Sequence, residues 1–64
     1  MAPHQQRVVE EKAELDTRLD KLRSFINTGD FDQVDSAERA RLIRQAMIMT
    51  DYSRILSDRI EAFI

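Results

Sequence analysis

Apolar residues recur at helical spacing along two stretches of the chain, and a short polar stretch holding the sole glycine divides them. In the first stretch, QQRVVEEKAELDTRLDKLRSFI, the steps from Leu15 through Leu19 and Leu22 to Ile26 are four, three and four. Such spacing puts one apolar stripe on one face of a helix. Carried backward, the seam passes Lys12 and reaches Val8, with Val9 and Phe25 beside it. The other face carries Glu10, Glu11, Glu14, Arg18, Lys21 and Arg23, with opposite charges one turn apart, as in Glu14–Arg18. Pro3 suits a first helical turn. Gly29 suits the C′ position that ends a helix. A helix is predicted over about residues 4–27.

Asn27 to Val34 reads as the turn, with Phe31 and Val34 folding back over its end. Asp35-Ser36-Ala37-Glu38 has the form of a capping box, with Ser36 as the alternative cap. The second helix is predicted over about residues 36–63, with a seam of Leu42, Ala46, Met49, Ser53, Leu56, Ile60 and Phe63. Ile43, Met47, Ile48, Tyr52, Ile55, Ala62 and Ile64 lie beside that seam. One partner helix cannot cover so wide an apolar sector. The fold expected is all-α: an antiparallel two-helix hairpin, one domain over residues 1–64, assembling into a homo-oligomeric helical bundle.

Composition strengthens the case for assembly. A chain of 64 residues buries little of its surface and is marginal alone. It has no cysteine and one histidine, His4, so disulfides and thiolate or imidazole metal sites are excluded. Oligomerisation is the remedy left. Ten basic and twelve acidic residues nearly cancel, which argues against DNA as a partner. No apolar run is long enough for a membrane span. The first residues lack the pattern of a secretory signal, so the address expected is the cytoplasm of whatever cell makes the chain.

The seams contain two polar intrusions. Pairing the helices about the turn places Leu22 near Leu42, Leu19 near Ala46 and Leu15 near Met49. Lys12 then falls level with Asp51, Tyr52 and Ser53. One reading is a polar layer that fixes register and oligomer state, with Lys12 paired to Asp51 or reaching out to the edge. The other is a ligand site, because an ammonium, a hydroxyl and an aromatic ring suit a nucleotide's phosphate and base. Arg44 shares a row with Ile48, Tyr52 and Ile55 and could complete a phosphate site in an oligomer. The plainer reading makes Arg39, Arg41 and Arg44 a solvated face answering Asp16, Asp20 and Asp30 on the first helix and turn. No nucleophile has a base beside it, and neither a phosphate loop nor a metal-ligand spacing is present, so neither catalysis nor a cofactor is expected.

The combination of QQRVVEEKAELDTRLDKLRSFI, Phe31 with Val34, and AERARLIRQAMIMTDYSRILSDRIEAF resembles a family of small phage and prophage proteins, often described as related to a crAss-like phage gene product. Gln45, Met49, Tyr52, Ser53, Leu56 and Arg59-Ile60 are its most distinctive part. The architecture is also similar to that of the anti-CBASS and anti-Thoeris signal sponges. What the resemblance implies is a phage anti-defence protein that oligomerises and holds a cyclic nucleotide or related signal between helices. Lys12, Arg44, Tyr52 and Ser53 are the ligand-binding candidates, chosen from the residues and not from the family. A helical oligomer that binds and inhibits a host protein is the alternative.

Overall fold

The computed structural model describes residues 1–63. Helix α1 spans Pro3–Ile26 and helix α2 spans Ser36–Glu61, with a short 3-10 helix at Gly29–Gln33 between them. No strand occurs among the described residues. At a rise of about 1.5 Å per residue, each long helix is about 36–39 Å long. The molecule measures 45 × 14 × 14 Å, so the helices lie side by side, and their short connection makes them antiparallel. Both expected helices form, and the second stops at Glu61 with Ala62 as its cap, two residues short of the expected end. Ile64, placed beside the seam by its sequence, lies outside the described residues.

The helix ends explain where the chain turns. Pro3 occupies the first turn of α1, and the Ala2 N–H donates to Gln5 Oε1 at 2.9 Å. The stop signal differs from the one expected. Gly29 does not end α1: no described residue has a positive φ, and the helix closes two residues earlier. Asn27 N–H donates to the Arg23 carbonyl at 3.2 Å. Thr28 then donates to the Phe25 carbonyl from its backbone, at 3.0 Å, and from its hydroxyl, at 2.7 Å. A side-chain hydroxyl thus satisfies a terminal carbonyl that a left-handed glycine would otherwise serve.

The expected capping box of α2 is half formed. Asp35 caps the helix by accepting from the Ala37 N–H at 3.1 Å, with Ser36 as the first helical residue. Glu38 does not return to the cap backbone; its Oε1 accepts from Arg41 Nε at 2.7 Å. Arg39 Nη1 donates to the Asp32 carbonyl at 3.1 Å and ties α2 to the connecting turn.

The core follows the two seams. Val8, Leu19 and Leu56 are buried, and the other seam residues of both helices are half-buried. Phe31 closes the turn end: it is 8% exposed and meets the Phe25 ring edge-on, centroids 5.9 Å apart. Val34 is half-buried beside it. Among the described residues only Leu56 is fully buried. Ile43, Met47, Ile48, Tyr52 and Ile55 all remain exposed on α2. An isolated hairpin with so thin a core is marginal.

Candidate functional site

The two polar intrusions do meet, through a residue the sequence reading put on the charged outer face. Asp16 lies one turn beyond Lys12 on α1. Its Oδ2 is 2.5 Å from Lys12 Nζ, and its Oδ1 accepts from Ser53 Oγ at 2.5 Å. Lys12 therefore does not pair with Asp51, which instead lies 3.5 Å from Arg54 on its own helix. The reason is reach: an i,i+4 partner on the same helix is held in place, whereas Asp51 points away from α1 at the outer side of α2. Ser53 is met one turn nearer the connection than Lys12, so the inferred register holds to within about one turn.

The layer is only partly withdrawn from water. The Lys12 side chain is 26% exposed and that of Asp16 39%. Hydrogen bonds from Lys12 and Ser53, together with the positive charges of Lys12 and Arg23, hold the Asp16 carboxyl below its ordinary pKa, against a smaller opposing push from burial. Asp16 thus stays ionised at neutral pH, and a carboxylate so stabilised is a weak proton acceptor. No buried side-chain polar atom among the described residues lacks a partner. No cluster of His, Asp and Glu that could hold a metal occurs among them either.

A second cross-helix contact lies two turns along α1. Arg23 Nη2 donates to Thr50 Oγ1 at 2.5 Å, and that hydroxyl donates to the Ala46 carbonyl at 2.8 Å. Both cross-helix contacts lie on the same flank of the hairpin. There, an open cleft of about 320 Å3 is walled by Asp16, Asp20, Arg23, Thr50, Ser53 and Arg54, with Leu19 at its floor. Past Arg23 and Thr50 it continues into a more apolar stretch lined by Ile26, Ile43, Ala46 and Met47.

The four candidate residues do not form one cluster within a chain. Lys12 and Ser53 share the Asp16 layer. Tyr52 and Arg44 stand exposed on the opposite flank of α2, where Tyr52 is about 160° around the helix from Thr50. Glu14 and Arg18 form no ion pair; both face solvent on the outside of α1. Asp16 is the functional candidate missed. Its signal was present in the sequence: an acid one turn from the seam lysine and next to the seam residue Leu15.

The fold and this layer define a small helical hairpin with a polar stitch across an otherwise apolar seam. By its sequence the chain belongs to the Sequestin family, whose model matches residues 2–62. No curated protein and no solved structure matches it. No helix of the described residues is long and apolar enough to cross a membrane.

Proposed function

We propose that this protein sequesters a nucleotide-type immune second messenger, a cyclic oligonucleotide or an ADP-ribose derivative, at the interfaces between its own subunits, as a phage anti-defence protein in the host cytoplasm. The family name supports a role in holding a molecule, not in transforming one. The observation that carries the reading is the half-exposed Lys12–Asp16–Ser53 layer. The Lys12 ammonium has three donors and uses one on Asp16, which leaves capacity for a phosphate oxygen. The clefts of a single hairpin are too open to bury a ligand, since small-molecule sites enclose most of their ligand's surface. Tyr52 and Arg44 stand on a flank that a second copy would cover. Lys12 and Ser53 face one neighbouring copy and Tyr52 and Arg44 another, so each half is enclosed only where copies of the chain meet.

The reading is tested by thermal unfolding against a panel of cyclic di- and trinucleotides and ADP-ribose derivatives. A ligand held by the folded form alone adds about 2.7 kcal/mol of stability at a hundredfold excess over its dissociation constant. Lys12→Ala should erase that shift while leaving the sedimentation of the oligomer unchanged. A cooperative melt that no compound moves would reject sequestration of this class. The exposed row Ile48, Tyr52 and Ile55 then favours the second reading, a helical module that binds and inhibits a host protein.

A further inference from the structure

Three arginines of α2 have an acid one turn away on the same stretch of chain: Asp35 for Arg39, Glu38 for Arg41, and both Asp51 and Asp58 for Arg54. Arg44 and Arg59 have none. The positions three and four away hold Ala40, Arg41, Met47 and Ile48 around the first, and Ile55, Leu56, Ala62 and Phe63 around the second. Neither makes an ion pair among the described residues. Both are exposed, and both stand on the flank that carries Ile48, Tyr52 and Ile55. At about 100° of turn per residue, Arg44, Ile48, Asp51, Tyr52, Ile55 and Arg59 fall within one sector about 100° wide.

That row reads alike in both directions. About a point midway between Asp51 and Tyr52, Ile48 mirrors Ile55 and Arg44 mirrors Arg59. A twofold interface requires this relationship, because residue i of one copy meets residue j of the other and j meets i. The two isoleucines are 60% and 56% exposed, so a partner has apolar surface to cover.

We propose that two copies of the chain pack α2 against α2, antiparallel, about a twofold axis between Asp51 and Tyr52, and that Arg44 and the partner's Arg59 form a composite site for a phosphate-type anion, twice per dimer. Ile48 lies on the partner's Ile55, and the Tyr52 hydroxyl donates to the carboxylate of the partner's Asp51. Each arginine pair sits about 11 Å from the axis along the helix, so the two sites are about 22 Å apart and fill independently. Two guanidiniums facing each other repel when the site is empty. A phosphate between them reverses this, since each planar fork can grip its oxygens bidentately. Neither half is a site alone. The inference deepens the proposed function, and rests on it only for a nucleotide as the source of the phosphate.

The absence of native cysteine makes the geometry directly testable. Ile48→Cys and Ile55→Cys chains, mixed and oxidised, should yield the mixed disulfide dimer by mass spectrometry, whereas neither chain oxidised alone should link to itself. In the proposed packing like positions are about 10 Å apart along the axis, beyond the Cα separation of about 7 Å that a disulfide spans. Self-linking of either chain, or no mixed product from chains whose helical circular dichroism is intact, overturns the packing. The anion site is read by sedimentation equilibrium with inorganic pyrophosphate at fixed ionic strength. Pyrophosphate should tighten the native dimer about tenfold or more. Arg44→Glu, which sets a carboxylate against the partner's Arg59, should tighten the dimer without pyrophosphate and abolish the response to it. A native dimer indifferent to pyrophosphate, or an Arg44→Glu dimer that behaves as the native one, overturns the composite site. A protein that passes these tests and holds no nucleotide sinks the sequestration reading alone; one that holds nucleotide but fails to cross-link sinks this inference alone.

Discussion

Asp16 and Ser53, 37 residues apart in sequence, are joined across the hairpin by a 2.5 Å hydrogen bond to Asp16 Oδ1, while Asp16 Oδ2 accepts a hydrogen bond from the Lys12 ammonium. One carboxylate therefore satisfies both polar groups that interrupt the apolar seams. Replacing Asp16 by alanine leaves the ammonium and hydroxyl without their shared partner. The expected loss is on the order of 1 kcal/mol, below the usual figure for bonds to a charged group because the layer is partly wet. Urea unfolding of Asp16→Ala against the native protein measures it, and an unchanged midpoint would make the layer energetically idle.

The same contact fixes a pH dependence. The folded state holds the Asp16 pKa below its ordinary value, so the unfolded chain binds this proton more readily. The contribution is therefore fully present above the ordinary carboxylate range and is lost as pH falls through the lowered folded value. Other acids titrate in the same region, but they cancel in a comparison with Asp16→Asn. The difference in stability between native and variant should be greatest near neutral pH and shrink toward zero in strong acid. Melting curves across that range check it, and a difference that grows as pH falls contradicts the assignment.

Gly29 offers a prediction of opposite sign. Its φ is not positive, and a Cβ built on it meets nothing within 4 Å. Gly29→Ala should stabilise the protein by about 0.4–1 kcal/mol by restricting the unfolded chain. A loss of stability would mean that the turn uses a conformation alanine resists.

Much of the fold was legible because the apolar spacing is regular and no breaker interrupts either helix. Every residue assigned to the two seams is buried or half-buried, and the flanking set from Ile43 to Ile55 is exposed, as a seam for one partner helix requires. The turn was less legible. A lone glycine after a helix resembles a stop signal, yet here the Thr28 hydroxyl serves the terminal carbonyl. The polar layer was half legible. Its height follows from the helix pairing, but Asp16 looks like surface in the sequence because an acid beside a seam resembles any acid on the charged face. Side-chain reach, which spacing alone does not express, decided that Lys12 takes Asp16 and leaves Asp51 to Arg54.

The turn end should be the most sensitive to truncation of an aromatic. Phe31 is 8% exposed and packs edge-on against Phe25, which is 37% exposed. Phe31→Ala should cost about 3 kcal/mol or more, combining lost burial with the lost ring contact. Phe25→Ala should cost clearly less, because much of its ring is already wet. Denaturant titration of the two variants tests this order, and equal losses would show that the pair is buried together in the assembled state.

Ile55 and Leu56 are neighbours in sequence with opposite environments, and together they separate the stability of the hairpin from that of its assembly. Leu56 is wholly buried between α1 and α2, while Ile55 is 56% exposed. Leu56→Ala removes core contacts in every copy and should cost about 2–5 kcal/mol at any protein concentration. Ile55→Ser removes nothing from the core of a single chain. Its effect should appear only where copies associate, because binding of folded chains to one another stabilises them by mass action. The native melting temperature should therefore rise with protein concentration, and that of Ile55→Ser should rise less, converging on the native value upon dilution. If the native melting temperature does not depend on concentration, the exposed row of α2 contributes nothing to self-association. The marginal core of the single hairpin must then be stabilised by a different partner.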